Sequence, residues 1–401
     1  MPFFLIFYIL IAFFGDCNGK THCFNKTFDG NGRPIRYNGD YNLTSQDGVF
    51  KLNGERFNLK GLSWFGFETS QYVFHGLWAQ DYHTLIDFMK NYSFNAIRIP
   101  FSCEGVINNP IPNSINFYQM NQDLQNLTSL QVLDKMITAL GDAGILVLLD
   151  MHSLETGGYL EDGLWYDDKY PQTTTMQVWE TMVNRYKGFW NVIAIDVFNE
   201  PFDGTWGTGT VSTDFNTWCQ TVGNQVHGMG VDWLIFCEGV ANSPPCTDAC
   251  FWGGDLQGVK SQPVTLNMPN KIVYSPHCYG PDVAYQDYFQ ASNFPDNMPE
   301  IWDTHFGYIR SLNKAATALG EWGGSTQGLD GTWMNAFANY IIQTDIPDTF
   351  FWCLNPDSGD TGGLLEYDWS TPVQPKLDIL QKIQPKPTKV VNEGNQVCFE
   401  F

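Results

Sequence analysis

Two glutamates follow apolar, strand-like runs in this sequence, and together they could catalyse a reaction. Asn199 and Glu200 end the run 192–200, and Glu321 lies near the end of the run 316–323. Burying an ionised carboxylate at the end of a strand is costly, so the position indicates a use for the charge. Two carboxylates on opposite sides of a cleft can cleave a glycosidic bond. We therefore expect Glu200 to be the acid/base and Glu321 the nucleophile; two structural ion pairs are the alternative.

The ends of the other strand-like runs also carry polar or aromatic side chains. In chain order these residues are Trp64, Arg98, His152, Glu238, His277, Tyr279 and Trp352. We expect Arg98 to keep Glu321 ionised, because a guanidinium stays charged when buried. Asn199 can donate a hydrogen bond to a sugar 2-hydroxyl, and Tyr279 can donate one either to Glu321 or to the region of the sugar ring oxygen. A surface salt bridge is the alternative for Arg98.

The sequence indicates a role less clearly for two histidines and a third glutamate among these strand ends. His152 and His277 are candidates for hydrogen bonding in the site, although a lone histidine at a strand end is also often structural. Glu238 has no identifiable partner in the sequence, and we expect it to make a structural hydrogen bond.

Three tryptophans are predicted to stack on sugar rings. A flat aromatic ring can pack on the C–H face of a pyranose, and Trp64 and Trp352 stand at strand ends, whereas Trp252 lies in a long loop. The chain has 14 tryptophans, so a place in the core is the alternative for each of them.

Strand-like and helix-like segments alternate along most of the chain. The predicted strands are 57–66, 94–100, 145–152, 192–200, 233–239, 271–280, 316–324 and 349–354. The predicted helices are Asp81–Tyr92, Ser129–Ala143, Thr174–Lys187, Ser212–Met229, Glu300–Asn313, Gly331–Thr344 and Val373–Ile383. Eight such strands indicate an α/β fold, either a single-domain (β/α)8 TIM barrel or a doubly wound sheet. We expect the barrel, because no strand is followed by a glycine-rich nucleotide loop, and barrels place their chemistry at the C-terminal strand ends.

Segments before and after the predicted barrel complete the expected domain organisation. Residues 3–14 form an apolar block of twelve residues, shorter than the roughly 20 needed to span a membrane but suited to a signal peptide. The Asn53-Gly54 pair between alternating apolar residues predicts a β-hairpin. The expected division is a signal peptide at 1–19, whose cleavage site the sequence does not fix, an N-terminal segment with the hairpin at 20–56, the barrel at 57–385 and a C-terminal tail at 386–401. No linker and no second domain are expected after the barrel.

Charge restricts the partners of this protein. The formal net charge is −22, from 43 acidic and 21 basic residues, which disfavours nucleic acid and anionic membranes as partners. A neutral substrate is compatible with such a surface. After removal of the signal peptide we expect a secreted, extracellular monomer that does not bind a membrane.

Cysteines and glycosylation motifs agree with export. Of ten cysteines, Cys246 and Cys250 flank a short loop and are expected to form a disulfide. A zinc site is the alternative, disfavoured because no second Cys/His pair stands nearby. Loss of Cys17 with the leader would leave an odd number, so at least one thiol should be unpaired. Four Asn-X-Ser/Thr motifs predict a glycoprotein, and they begin at Asn25, Asn42, Asn91 and Asn126.

The short motifs around these residues resemble glycoside hydrolase family 5. They are Asn199-Glu200-Pro201, His277-Cys278-Tyr279, Gly320-Glu321-Trp322 and Trp352, together with Arg98 and His152. Longer runs, such as Val73-Phe-His-Gly-Leu-Trp78 and 355–363, are similar to secreted bacterial endo-β-1,4-glucanases of that family. The resemblance implies a retaining enzyme without a metal or organic cofactor, with Glu200 as acid/base and Glu321 as nucleophile. It also implies that the substrate is contacted by Arg98, His152, Asn199, His277, Tyr279 and Trp352.

The expected substrate is a β-1,4-glucan, cellulose or a cello-oligosaccharide. The same mechanism on mannan, xyloglucan or mixed-linkage β-glucan is the nearest alternative, because specificity depends on loop contacts. A non-catalytic carbohydrate-binding barrel is a second class, disfavoured because both Glu200 and Glu321 are present. A metal-dependent hydrolase is a third, disfavoured by the absence of a His-X-His or clustered Asp/His ligand set.

Overall fold

Eight parallel strand positions form a closed ring at the centre of the fold. The computed structural model describes residues 20–28, 34–35, 41–157, 162–241 and 250–401, so the predicted signal peptide, 1–19, lies outside the described residues. The strands are β1 (Thr21–Asn25), β2 (Thr27–Phe28), β3 (Pro34–Ile35), β4 (Leu43–Gln46), β5 (Val49–Leu52), β6 (Glu55–Arg56), β7 (Lys60–Ser63), β8 (Ala96–Ser102), β9 (Leu146–Ser153), β10 (Val192–Asp196), β11 (Leu234–Cys237), β12 (Ile272–Tyr274), β13 (His277–Tyr279), β14 (Ala316–Thr317), β15 (Leu319–Gly323), β16 (Thr349–Phe351), β17 (Lys389–Glu393) and β18 (Gln396–Glu400). The α-helices are α1 (Tyr82–Asn91), α2 (Cys103–Asn108), α3 (Ser129–Asp142), α4 (Gln172–Tyr186), α5 (Phe215–Gly228), α6 (Met298–Trp302), α7 (Tyr308–Ser311), α8 (Gly328–Gln343) and α9 (Gln374–Ile383).

The barrel consists of strands β7 to β16. Parallel pairing runs without a break from β7 to β12. The sixth barrel strand is split into β12 and β13 and the seventh into β14 and β15, and the halves pair as β12 with β14 and β13 with β15. Strand β15 then pairs with β16, and β16 pairs with β7. This closure confirms the predicted (β/α)8 barrel and excludes the doubly wound sheet, which is open.

Amphipathic helices cover the outside of the barrel. In α1, Asp81 caps the first turn by accepting a hydrogen bond from the backbone N–H of His83, and Leu85, Ile86 and Met89 are buried. This spacing of three and four residues places the apolar side chains on one face of the helix. None of the helices in the described residues is long and apolar enough to cross a membrane.

The helix predicted at Glu300–Asn313 is interrupted. The structure has α6, then a π-helical turn at Asp303–Gly307, then α7. A Cβ at Gly307 would come within 1.7 Å of the Tyr340 hydroxyl on α8, so a larger residue here would require Tyr340 to move. The sequence pattern correctly predicts helix here, but it does not reveal the close contact with α8.

A second apolar core closes the bottom of the barrel, which is the end where the barrel strands begin. Asp47 and Gly48 link β4 to β5, and Asn53 and Gly54 link β5 to β6, all with positive φ. Two consecutive left-handed residues are typical of tight hairpin turns, so the predicted Asn53-Gly54 hairpin is confirmed. Phe50 and the other apolar residues of these hairpins are buried against the start of the barrel strands.

The C-terminal segment 386–401 was expected to be a tail, but it contains strands β17 and β18. They form a three-stranded antiparallel sheet with β1 near the other end of the described chain. Phe24, Val397 and Phe399 from this sheet are buried in the second core. We refer to β1, β17 and β18 as the terminal sheet, and it covers the bottom of the barrel.

Two disulfides stabilise the described residues. Cys23 is bonded to Cys398 within the terminal sheet, and Cys219 is bonded to Cys237. The predicted Cys246–Cys250 bond stays a prediction, since Cys246 lies outside the described residues. Buried free thiols are present, as expected from the count, at Cys103, Cys278 and Cys353.

Replacing both Cys23 and Cys398 by serine is expected to destabilise the fold and leave the chemistry intact. The bond joins positions 375 residues apart. It therefore lowers the conformational entropy of the unfolded chain over a long loop. We expect the free energy of unfolding to fall by roughly 2–5 kcal/mol, measured by denaturant titration, with kcat at 25 °C unchanged. An unchanged unfolding midpoint would show that the terminal sheet does not need its crosslink.

Candidate active site

Arg98 is a fully buried guanidinium at the centre of the barrel, in strand β8. It contacts four carboxylates, those of Asp150, Asp196, Glu238 and Glu321. Its Nη2 also donates to Oδ1 of Asn199 at 3.0 Å. Such a charge is tolerable in the core because every side of the guanidinium fork meets an acceptor. The four carboxylates are therefore held in place by one rigid cation.

Glu321, in β15, is held in the ionised form. Its Oε1 accepts from Arg98, its Oε2 accepts from the Tyr279 hydroxyl at 2.6 Å, and Nδ1 of His277 lies 3.6 Å from Oε2. Burial raises the pKa of Glu321, but the positive charges of His277, Arg98 and His152 outweigh burial and keep this pKa below its ordinary value. An ionised, oriented carboxylate is what a nucleophile requires.

The pKa of Glu200 is shifted in the opposite direction, upward. Burial, with a contribution from the charge of Glu321, raises its pKa above the ordinary value, although the hydrogen bond from His277 opposes this shift. Its Oε1 lies 2.9 Å from Nδ1 of His277, and its backbone N–H donates to Oε2 of Glu238 at 2.8 Å. The backbone of Glu200 has a φ of +45°, unusual for a residue other than glycine. Glu200 is therefore suited to carry a proton.

The two glutamates meet across a narrow gap. One carboxylate oxygen of Glu200, one of Glu321 and a ring nitrogen of His277 all lie within 4.8 Å of one another. Carboxyl groups about 5–5.5 Å apart are typical of retaining glycosidases, and wider pairs of inverting ones. The pair thus combines short separation with pKa values displaced in opposite directions, which is the pattern of an acid and a nucleophile.

The same oxygens and nitrogen raise the question of a metal. The groups Glu200–His277–Glu321 and Asp196–Glu238–His277 each have ligand atoms close enough to share an ion. However, Asp196, Glu238 and Glu321 all contact the Arg98 guanidinium. A divalent cation would lie beside a permanent positive charge, which disfavours a metal at this position.

His152 and Trp352 form a flat wall next to the glutamates. Their rings are nearly parallel, at 9°, with centroids 5.5 Å apart. Nδ1 of His152 lies 2.7 Å from Oδ2 of Asp150. Burial lowers the pKa of His152, but Asp150 outweighs burial and the pKa is raised to about 9. The imidazole is thus positively charged near neutral pH and directed by Asp150.

A cleft opens above this wall. One cavity of about 320 Å³ is lined by both glutamates, Asn199 and Tyr279, and Trp252 forms part of its rim. A second cavity of about 460 Å³ shares His152 and Trp352 with the first. Because the two cavities meet at this wall, an extended ligand could pass across the glutamates from one to the other.

The structure brings together all but one of the residues predicted for the site. Arg98, His152, Asn199, Glu200, His277, Tyr279, Glu321 and Trp352 surround the gap or its wall. Trp252 is 36% exposed and stacks on Phe202 with centroids 4.2 Å apart. It is therefore available to a ligand in the cleft.

Trp64 is the exception, and the prediction for it was wrong. It is completely buried, stacks on Phe74 and donates from Nε1 to the carbonyl of His75. Successive side chains at a strand end point in opposite directions, and here the next residue, Phe65, points to the cleft. Its ring lies nearly parallel to Trp352, with centroids 5.6 Å apart.

Sequence reasoning missed or undervalued three buried carboxylates. Asp150 and Asp196 interrupt apolar strands, and this was a usable signal, because a charge inside such a strand needs a partner. Glu238 was expected to make a structural hydrogen bond, and it does bond to the backbone of Glu200, but it also contacts Arg98. No sequence pattern pointed to those contacts.

The chain is similar to a known protein family, to several curated proteins and to solved structures. Residues 51–358 match the family model described as cellulase, glycosyl hydrolase family 5. The chain is 39% identical to an endoglucanase of Paenibacillus polymyxa over 90% of this chain and 91% of that protein. It is 40% identical to the major extracellular endoglucanase of Xanthomonas campestris pv. campestris, over 86% of this chain and 71% of that protein.

Solved structures give a consistent result. An endocellulase from Pyrococcus horikoshii, in a complex of a variant with cellotetraose, superposes with a TM-score of 0.80 at 36% identity, over 86% of this chain and 98% of that one. The catalytic domain of the Xanthomonas campestris endoglucanase gives a TM-score of 0.78 at 40% identity, over 83% of this chain and 96% of that one.

Proposed function

Because the chain belongs to the cellulase family of glycosyl hydrolases, family 5, we propose that it is a secreted, retaining endo-β-1,4-glucanase that hydrolyses internal bonds of cellulose. The observation that carries the proposal is the pair of carboxylates of Glu200 and Glu321, within 4.8 Å and with opposite pKa shifts. The relatives described as endoglucanases, and the neighbour solved with cellotetraose, support a β-1,4-glucan as substrate.

The proposed reaction has two steps. In the first, a carboxylate oxygen of Glu321 attacks the anomeric carbon while Glu200 gives its proton to the departing glycosidic oxygen. In the second, Glu200 takes a proton from water, and the water displaces Glu321 from the anomeric carbon, so the β-configuration is restored. Arg98 and Tyr279 share the charge of Glu321 in both steps.

Substrate binding is proposed to depend on the walls of the cleft. Trp252 and Trp352 offer ring faces for pyranoses, and His152 supplies a positive edge beside Trp352. The amide of Asn199 is oriented by Arg98 through its oxygen, which leaves its NH2 group to donate to a sugar hydroxyl.

The stereochemistry of the product tests the proposal directly. Proton NMR of cellotetraose hydrolysis should show the β-anomer as the first product, before mutarotation. The α-anomer as first product would contradict the double displacement, and no cleavage of cellotetraose or carboxymethylcellulose would contradict the substrate. Parallel assays on mannan, xyloglucan and mixed-linkage β-glucan determine whether another polymer is preferred.

Export is part of the proposal. The apolar block 3–14 supports a signal peptide within 1–19, and the Asn residues of all four glycosylation motifs are exposed. The name of the Xanthomonas relative, an extracellular enzyme, supports the same location. N-terminal sequencing of protein collected from culture medium would identify the cleavage site, and a retained leader would contradict this part of the proposal.

The rate is expected to depend on pH through both glutamates. Protonation of Glu321 removes the nucleophile at low pH, and its lowered pKa extends activity toward acid. Loss of the proton from Glu200 removes the acid at high pH, and its raised pKa extends activity toward neutrality. A plot of kcat/KM on cellotetraose between about pH 3 and pH 9 should therefore be bell-shaped. A profile without a basic limb would contradict the role of Glu200.

A further inference from the structure

Glu238 is a fully buried carboxylate immediately after strand β11, and it does not line the catalytic gap. It nevertheless contacts three groups that determine the state of the two glutamates. These groups are the backbone N–H of Glu200, the guanidinium of Arg98 and the imidazole of His277. A structural hydrogen bond alone would account for only the first of these contacts.

The contact with Glu200 supports an unusual backbone. Oε2 of Glu238 accepts from the Glu200 N–H at 2.8 Å, where Glu200 has a φ of +45°. A left-handed conformation at a residue with a side chain needs support from its surroundings. The hydrogen bond supplies that support at the residue whose carboxyl group faces Glu321.

The other oxygen acts on His277. Oε1 of Glu238 lies 3.1 Å from Nε2 of His277 and 3.1 Å from Nη2 of Arg98. On the opposite side of the ring, Nδ1 of His277 lies 2.9 Å from Oε1 of Glu200. The imidazole therefore lies between Glu238 and the proposed acid/base, and Nε2 makes an ion-pair contact with Glu238 without the geometry of a hydrogen bond.

The location of the proton between Glu238 and His277 affects which ring nitrogens of His277 carry hydrogen, and Nδ1 must carry one to donate to Glu200. If His277 is cationic, both nitrogens carry hydrogen. If the Nε2 proton has moved to Glu238 instead, the neutral ring keeps its one remaining hydrogen on Nδ1. In both states Nδ1–H donates to Oε1 of Glu200, so the proton of Glu200 resides on its other oxygen, Oε2.

The charged groups around His277 and Glu238 stabilise the protonated form of His277. Asp196 and Glu321 have carboxylate oxygens close to the ring nitrogens of His277, and Arg98 contacts both of these carboxylates. Burial lowers the pKa of His277, but the charges of Glu238 and Glu321 hold it well above the ordinary value.

We infer that Glu238 is a positioning residue for general acid catalysis: it fixes the tautomer of His277 and the backbone of Glu200, and so directs the proton of Glu200 toward the glycosidic oxygen. This inference rests on the proposed function. A glutamine at position 238 cannot replace the carboxylate. Both oxygens of Glu238 accept hydrogen bonds, so either orientation of a glutamine amide would place its NH2 group against another donor. That donor is the N–H of Glu200 in one orientation and Arg98 in the other.

The test compares two leaving groups. For Glu238→Gln we expect kcat on cellotetraose to fall about 10- to 100-fold, with KM changed less than about twofold. The first-step rate on 2,4-dinitrophenyl β-cellobioside, whose leaving group needs no proton, should fall less than about threefold. Equal losses on the two substrates, or no loss, would overturn the inference. If the wild-type enzyme does not cleave cellotetraose, the proposed function itself fails, which is a different result.

A matched control and a second measurement cover the case of misfolding. Asp348 is also a buried carboxylate that accepts from a backbone N–H, that of Leu59, but at the bottom of the barrel. Asp348→Asn should leave the ratio of the two rates at the wild-type value. In ¹⁵N-histidine NMR of the wild-type protein, assigned with His277→Asn, Nδ1 of His277 should carry hydrogen at pH 6. A bare Nδ1 would overturn the inference even if Glu238→Gln does not fold.

Discussion

Glu321→Ala is expected to lower kcat on cellotetraose by roughly 10⁴- to 10⁶-fold, because it removes the group that forms the covalent intermediate. The buried cations, Arg98 and the two histidines, would lose their partner at the gap, and the cavity would admit a small anion in its place. We expect azide to restore turnover of an activated cellobioside and to give the α-glycosyl azide, because the anion attacks from the side that Glu321 occupied.

Two results would contradict the role of Glu321. One is residual kcat within about tenfold of wild type, and the other is a β-glycosyl azide. Glu300→Ala is the control, since Glu300 is an exposed carboxylate in α6 away from the gap, and its removal should change neither rate nor product. Circular dichroism would show that both variants are folded.

Glu200→Ala is expected to have an effect that depends on the leaving group. On cellotetraose the departing oxygen needs a proton, so kcat should fall about 10²- to 10⁴-fold. On 2,4-dinitrophenyl β-cellobioside the first step should be nearly unaffected, and the glycosyl-enzyme should accumulate, because no base activates water in the second step. A burst of dinitrophenolate followed by slow turnover is the expected trace.

Azide distinguishes this variant from Glu321→Ala. In Glu200→Ala the anion enters where water would attack, so it should accelerate the slow phase and give the β-glycosyl azide. Equal losses on cellotetraose and on the activated substrate would contradict acid catalysis by Glu200. So would a variant that shows no burst but binds substrate normally.

The proximity of Glu200 and Glu321 could be predicted from the sequence because barrel topology turns chain order into position. Glu200 follows the fourth barrel strand, which ends at Asp196, and Glu321 lies in the seventh, so a closed ring places both at one mouth. His152, Tyr279 and Trp352 lie at or next to strand ends, as the sequence predicted. Arg98 lies inside β8 instead, at the centre of the barrel.

Side-chain direction could not be predicted in the same way. Trp64 and Phe65 are adjacent, and a shift of one residue at the end of β7 decides which of them faces the cleft. Similarly, Glu238 contacts Glu200 and Arg98, which are 38 and 140 residues away in sequence. A single sequence contains no information on such pairwise distances.

The terminal sheet had a usable but weak signal. Strand β18, Gln396–Glu400, alternates exposed and buried residues, as a half-buried strand does. Its partner β1 is 375 residues away at the disulfide, and β1 has few apolar residues of its own. The sequence does not indicate that β1 and β18 pair. In the structure they pair and both pack on the second core.

Both ends of the described chain lie at the bottom of the barrel, opposite the mouth where Glu200 and Glu321 meet. An attachment at either end, such as a surface linker or a fused binding protein, would therefore hold this mouth outward. Immobilised molecules should therefore present the cleft to the surrounding solution without any redesign of the loops around it.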